Sequence, residues 1–137
     1  MIFNESNGYC IDTDVHIHDS VLQHMEFVTK DKCLHLIMSK NNQVFHLFFD
    51  RVMGFEMTNC CFWGTKFDGW ILGVEYVEPK ERTLLPKLFA EQKRYDTTEF
   101  LTPLGELRTE QSYLEIALAF SSGDHLAVVS ESMRFCD

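Results

Sequence analysis

The 137-residue chain carries twelve Lys and Arg against twenty-one Asp and Glu, a net charge of −9, with 45% apolar and 24% charged residues. That length suits one domain around a single core, and the apolar share excludes a disordered chain. The negative field disfavours nucleic acid and anionic membranes as partners, and favours solubility and a basic protein partner.

The opening residues MIFNESNGYC contain neither the basic nor the apolar stretch of a signal peptide, and no apolar run reaches the length of a membrane-spanning helix. A cytoplasmic protein is expected. The next segment, DTDVHIHDS over Asp12 to Ser20, is the densest in chemistry. Read as a strand, it sets Asp12, Asp14, His16, His18 and Ser20 on one face and Val15 and Ile17 on the other. Two imidazoles so placed need a third ligand from elsewhere, such as His24, His35 or His46, to hold a metal. The cupin spacing does not supply one, because Cys10 and Gln23 or Leu22 stand where its Gly and Glu would be. No metal is expected here, and the stretch reads as a polar strand face.

Three alternating runs follow: Val21 to Thr29, Cys33 to Ser39 and Val44 to Asp50, separated by Lys30-Asp31-Lys32 and by Lys40-Asn41-Asn42-Gln43. They predict an antiparallel meander. In the first, Val21, Met25 and Phe27 share a face. His24, His35 and His46 fall one in each run, and whether they share a face depends on register. Thr58 to Trp63 and Gly69 to Val77 predict two more strands around a glycine-containing loop, with Trp70, Leu72, Val74 and Tyr76 on one side. Phe62, Trp63, Phe67 and Trp70 gather near that loop, either as a partner anchor or as the closure of one end of the fold.

Leu84 to Arg94 is the one helical stretch, with Pro86 tolerated in its first turn. Residues 95–112 predict a long polar loop broken by Pro103 and Gly105. Tyr113 to Phe120 and His125 to Phe135 form a hairpin across Ser121-Ser122-Gly123-Asp124, with Glu115 outward. In the last strand, Leu126 and Val128 are out of phase with Val129, Met133 and Phe135, which suggests a bulge. The whole reads as a single mainly β domain over residues 1–137, an antiparallel β-sandwich or open barrel of six to eight strands with one short helix.

No phosphate-binding loop, dinucleotide fingerprint or nucleophile elbow occurs. Cys60 and Cys61 are adjacent, so on a strand they point to opposite faces and cannot share one base. The chain is read as a non-enzyme without cofactor.

One family resemblance is carried by His18-Asp19-Ser20 running directly into the first meander, and by the strand, Ser-Gly-Asp turn and strand of Leu114 to Val129. In these the chain resembles small β-rich bacterial immunity proteins of polymorphic-toxin and contact-dependent inhibition systems. The likeness covers about the first fifty and last twenty-five residues, and Met53 to Glu110 matches no pattern. It implies a cytoplasmic, acidic inhibitor that binds and blocks a basic toxin domain, a nuclease being the expected kind, by charge-complementary occlusion. The contact residues expected for that role are Asp96, Glu99, Glu106 and Glu110 of the long loop, with Phe67 and Asp68 of the glycine-containing turn, since an irregular loop fits a cleft better than a flat sheet. The alternative is a small-ligand- or metal-binding barrel that uses His16 and His18.

The five cysteines, Cys10, Cys33, Cys60, Cys61 and Cys136, are odd in number and lack any C-x-x-C pair, so they are read as reduced thiols. Titration of the denatured, unreduced protein is expected to find five reactive thiols; three or fewer would refute this.

Overall fold

Where two alternating apolar runs are joined by two residues that tolerate positive φ, the chain folds back as a tight hairpin. Asn41 and Asn42 do this with φ of 51° and 65° in the computed structural model, which describes residues 1–58, 70–95 and 109–137. They join β3 (Cys33–Lys40) to β4 (Gln43–Thr58), which pair from Lys40↔Gln43 onward. The other elements are β1 (Ile2–Phe3), α1 (Ile11–Asp14), β2 (Val21–Val28), β5 (Ile71–Tyr76), α2 (Leu84–Tyr95), β6 (Leu114–Phe120) and β7 (His125–Cys136).

The seven strands of the described residues form one antiparallel sheet in the order β2-β3-β4-β7-β6-β5, with β1 beside the far end of β7. The mainly β, antiparallel reading holds, and the strand count falls within the expected range. Among the described residues the sheet does not close into a barrel. Its two end strands meet at one corner, where Val21 bridges Trp70 and the Ile71 amide donates to the Ser20 carbonyl at 2.8 Å.

The concave face holds the main core, including Leu36, Leu47, Phe49, Leu118 and Val128, all fully buried. Ile11, Val15 and Ile17 fill its open side. Burying side chains of this size contributes roughly 1.5–3 kcal/mol each, so the segment carrying them is held mainly by its apolar residues. The opposite face has a smaller core under α2, where Leu84, Leu85 and Tyr113 pack on Val129. Gly54 permits this approach, since a Cβ there would lie 2.8 Å from a Leu88 methyl.

Several expectations are corrected by bulges and by the helix. The first strand is bulged between Leu22 and His24, so Leu22, rather than Val21, joins Phe27 against the core. The third strand does not end at Asp50 but runs on to Thr58, with Arg51 at φ 51° and a register shift between Val52 and Gly54. Trp70 and Leu72 do not share the face of Val74 and Tyr76: the shift between Ile71 and Gly73 turns Ile71 inward and leaves Trp70 and Leu72 exposed. In β7 the change of phase is present, with Met133 in the main core, but Val129 lies under the helix instead of beside Met133. A second helix, the single turn α1, stands where the DTDVHIHDS stretch was read as a strand. The predicted strand at 58–63 lies, beyond Thr58, outside the described residues, as does most of the predicted loop.

Glu115 points away from the main core, as expected, yet it is only 3% exposed because α2 covers it. Its carboxylate accepts the amide of Leu85 at 2.6 Å and of Thr83 at 3.3 Å. The helix has unpaired N–H groups and a positive dipole end at its start, so a carboxylate borrowed from β6 satisfies both. Glu115→Ala is expected to cost about 1–3 kcal/mol in urea unfolding, whereas the exposed Glu78→Ala should change stability by less than about 0.5 kcal/mol. Equal effects would refute the capping role.

Candidate partner-binding face

The polar stretch from Asp12 to Ser20 serves first as edge cover. Asp12 Oδ1 accepts the Tyr76 amide at 2.8 Å, and the Asp19 amide donates to the Ile71 carbonyl at 2.9 Å. Together with the bond from Ile71 to Ser20, these contacts occupy backbone groups at both ends of the outer edge of β5, the kind of edge that otherwise pairs with other chains. Val15 and Ile17 are buried and His16 and His18 exposed, so the expected alternation holds over these four residues. Ser20 is buried instead of facing outward with the histidines, since Asp19 adopts φ 66° and turns the chain. His18 pairs with its neighbour Asp19 at 3.1 Å, and the Lys40 ammonium donates to the His18 carbonyl at 2.7 Å. Among the described residues no three His, Cys, Asp or Glu side chains are grouped to hold a metal.

Beside this edge, on the convex side of β5 and β6, lies a groove of about 260 Å³ lined by residues including Leu72, Glu75, Ala117, Ala119 and His125. Two alanines make it concave where larger side chains would fill it. Leu72 is 48% exposed and Trp70 is 38% exposed. Glu75 lines the groove; the segment that covers the β5 edge bears the exposed carboxylates of Asp12, Asp14 and Asp19, and the turn after β5 bears Glu78 and Glu81 with Lys80 between them. Exposed apolar and aromatic side chains beside charged ones are the usual composition of a protein-binding surface. Nearby, Arg82 is held inside the fold: its side chain is 5% exposed, and one terminal nitrogen donates to both Glu5 oxygens at 2.9 Å.

Of the contact residues expected from the sequence, Phe67, Asp68, Asp96, Glu99 and Glu106 lie outside the described residues. Glu110 is exposed at the start of a 3₁₀ turn, Glu110–Ser112, in a cleft of about 180 Å³ shared with Glu5, Arg82, Leu85 and Pro86. Trp70 and Leu72 do not take the side that simple alternation predicts. Gly73 was the available signal, since a glycine within a strand often marks a bulge.

A second cluster occupies the convex side of β3 and β4. His35 Nε2 and His46 Nδ1 lie 2.9 Å apart, so one carries the proton that the other accepts. His35 stacks on Phe48 with centroids 4.1 Å apart, and the Arg134 guanidinium lies 4.4 Å from the Phe48 centroid while binding Asp50 at 2.6 and 3.1 Å. Cys33 adjoins Asp50; burial and that carboxylate push its thiol pKa up, which disfavours the reactive thiolate. The signal for the histidine pair was the Asn-Asn turn. A two-residue turn fixes Lys40 opposite Gln43, and counting back places His35 opposite Phe48 and His46 opposite Ile37.

No protein-family model matches the chain, and no curated protein matches it. Among solved structures, an uncharacterized protein from Neisseria gonorrhoeae is similar over 100% of this chain and 98% of its own, with a TM-score of 0.52 and 13% identity. That likeness concerns the fold alone.

Burial first, then the charge of His46, lowers the His35 pKa below its ordinary 6.5. The unfolded chain thus takes up this proton at higher pH than the folded one, so the contribution is intact above about pH 6.5 and declines as the pH falls below it. Urea unfolding between about pH 7.5 and 5 is expected to show a steeper loss for the wild type than for His35→Gln. Identical pH profiles would refute it.

Proposed function

We propose that this chain is a protein-binding module of the immunity type, which captures a basic protein by stoichiometric occlusion. The observation that carries this reading is the exposure of Trp70 and of Leu72, the latter lining a groove with Glu75, on a chain of net charge −9. Charge complementarity would bring a cationic partner to this side quickly, and the apolar centre would retain it. A basic nuclease toxin domain fits such a surface, since the carboxylates would occupy positions its phosphate-binding groups favour. The resemblance to immunity proteins supports the same class and, with it, a cytoplasmic location. No helix among the described residues is long and apolar enough to cross a membrane. The carboxylates expected on the 95–112 stretch belong to the proposal as further contact residues, and Asp68 stands two residues before Trp70 in the chain.

The test is binding to the product of the adjacent gene, followed by variants. Charge reversal at Asp19 and Glu75 is expected to slow association several-fold at low salt and to flatten its salt dependence. Trp70→Ala is expected to raise the dissociation rate, at a cost of about 2 kcal/mol or more. Charge reversal at Glu106 and Glu110 tests the loop in the same assay. Absence of binding to the neighbour's product would sink the immunity reading, while binding unchanged by the Trp70 and Glu75 variants would move the contact elsewhere.

A further inference from the structure

The two ends of the sheet are treated differently. The outer edge of β5 is met by Asp12, Asp19 and Ser20. The outer edge of β2 has, among the described residues, only the bridge from Val21 to Trp70 at its beginning. After the bulge at Gln23 the strand pairs regularly with β3 from His24 to Val28. A strand presenting unpaired amides and carbonyls is a template for another strand.

The side chains of this stretch select the occupant. Met25 is 39% exposed, and His24 and Glu26 have side chains 54% and 57% exposed. His24 and Glu26 project to the convex side, in register with Ile37 and His35, while Met25 lies on the core side opposite Leu36. When a strand pairs antiparallel with its own copy, the pleat requires the twofold axis to pass beside a residue, so that like faces meet. Centring on His24 or Glu26 sets identical polar groups face to face. Centring on Met25 sets His24 opposite Glu26 of the second copy, twice, with the two methionines meeting at the axis. Opposite-charge or hydrogen-bonding cross-strand pairs are favourable and like-charge pairs unfavourable. We propose that β2 is a self-association edge, at which a second copy of this chain adds antiparallel about Met25 and continues the seven-stranded sheet across a twofold axis.

The contact is small, so a weak dimer is expected, populated at about 100 µM and dissociating on dilution. Sedimentation velocity reads it directly, with circular dichroism to check folding of each variant. His24→Glu puts a carboxylate opposite Glu26 at both pairs and is expected to weaken the dimer about tenfold or more. The double swap His24→Glu with Glu26→His restores the opposition and is expected to restore the dimer. Met25→Lys brings two ammonium groups together at the axis and should leave a folded monomer. A wild type that stays monomeric at about 100 µM overturns the proposal. So does a dimer that survives both single substitutions, and a loss that the double swap does not reverse overturns the register.

Discussion

Pairing of β7 is the constraint on which the rest of the structure depends. One edge of this strand takes β4 along nearly its whole length, from Thr58↔His125 to His46↔Cys136. The other edge is shared, with β6 beside residues 125–130 and β1 beside Met133 and Arg134. The two ends of the chain therefore close on each other through backbone hydrogen bonds, and the Phe135 amide donates to the Met1 carbonyl at 2.9 Å. A sheet assembled about a strand near the C-terminus depends on contacts distant in sequence, and such contacts must overcome a large loop-closure entropy before they stabilise anything. Its core must be correspondingly complete, which explains why Ile11, Val15 and Ile17 are drawn in from the N-terminal segment to cover the open side.

The charged groups inside this frame are structural. Glu115 and Arg82 sit at the two ends of one connection: the first receives the amides at the start of α2, and the second reaches Val77 and Tyr113 carbonyls while binding Glu5. Tyr76 completes that set, donating from its hydroxyl to Glu5, and burial together with this bond pushes its phenol pKa up. A buried charge is costly unless it is paired and hydrogen-bonded. Here Arg82 is paired with Glu5 and Glu115 accepts two backbone amides, so together they hold the N-terminal segment, the turn after β5 and the helix start in one arrangement. Arg82 is consequently withheld from the surface.

The functional reading follows from where the remaining charge and apolar surface end up. The polar motif that first suggests metal chemistry serves in edge protection, where Asp12 covers an amide and Asp19 turns the chain, while its histidines and carboxylates stay exposed. What projects beside it is an exposed indole and an exposed leucine. On the proposed reading this surface serves recognition of a basic protein, because the exposed side chains beside the groove are apolar and acidic.

The alternation of apolar residues along Cys33 to Asp50 and Tyr113 to Phe120 determined, by itself, that this is an antiparallel β protein, since a period of two can bury one face only in a strand. The helix over Leu84 to Arg94 was equally legible, and the structure extends it by one residue. Tertiary structure decided what local pattern cannot encode. A bulge moves one residue out of register and turns every later side chain to the other face, which is why Trp70 and Leu72 emerged as surface residues and Val129 moved under the helix. Burial of Glu115 depended on a helix packing over a face that its own strand would leave in water. The pairing of His35 with His46 lay between these extremes: the Asn-Asn turn fixes their register, but the 2.9 Å approach of their ring nitrogens exists only once the twist of the folded sheet brings the diagonal neighbours together.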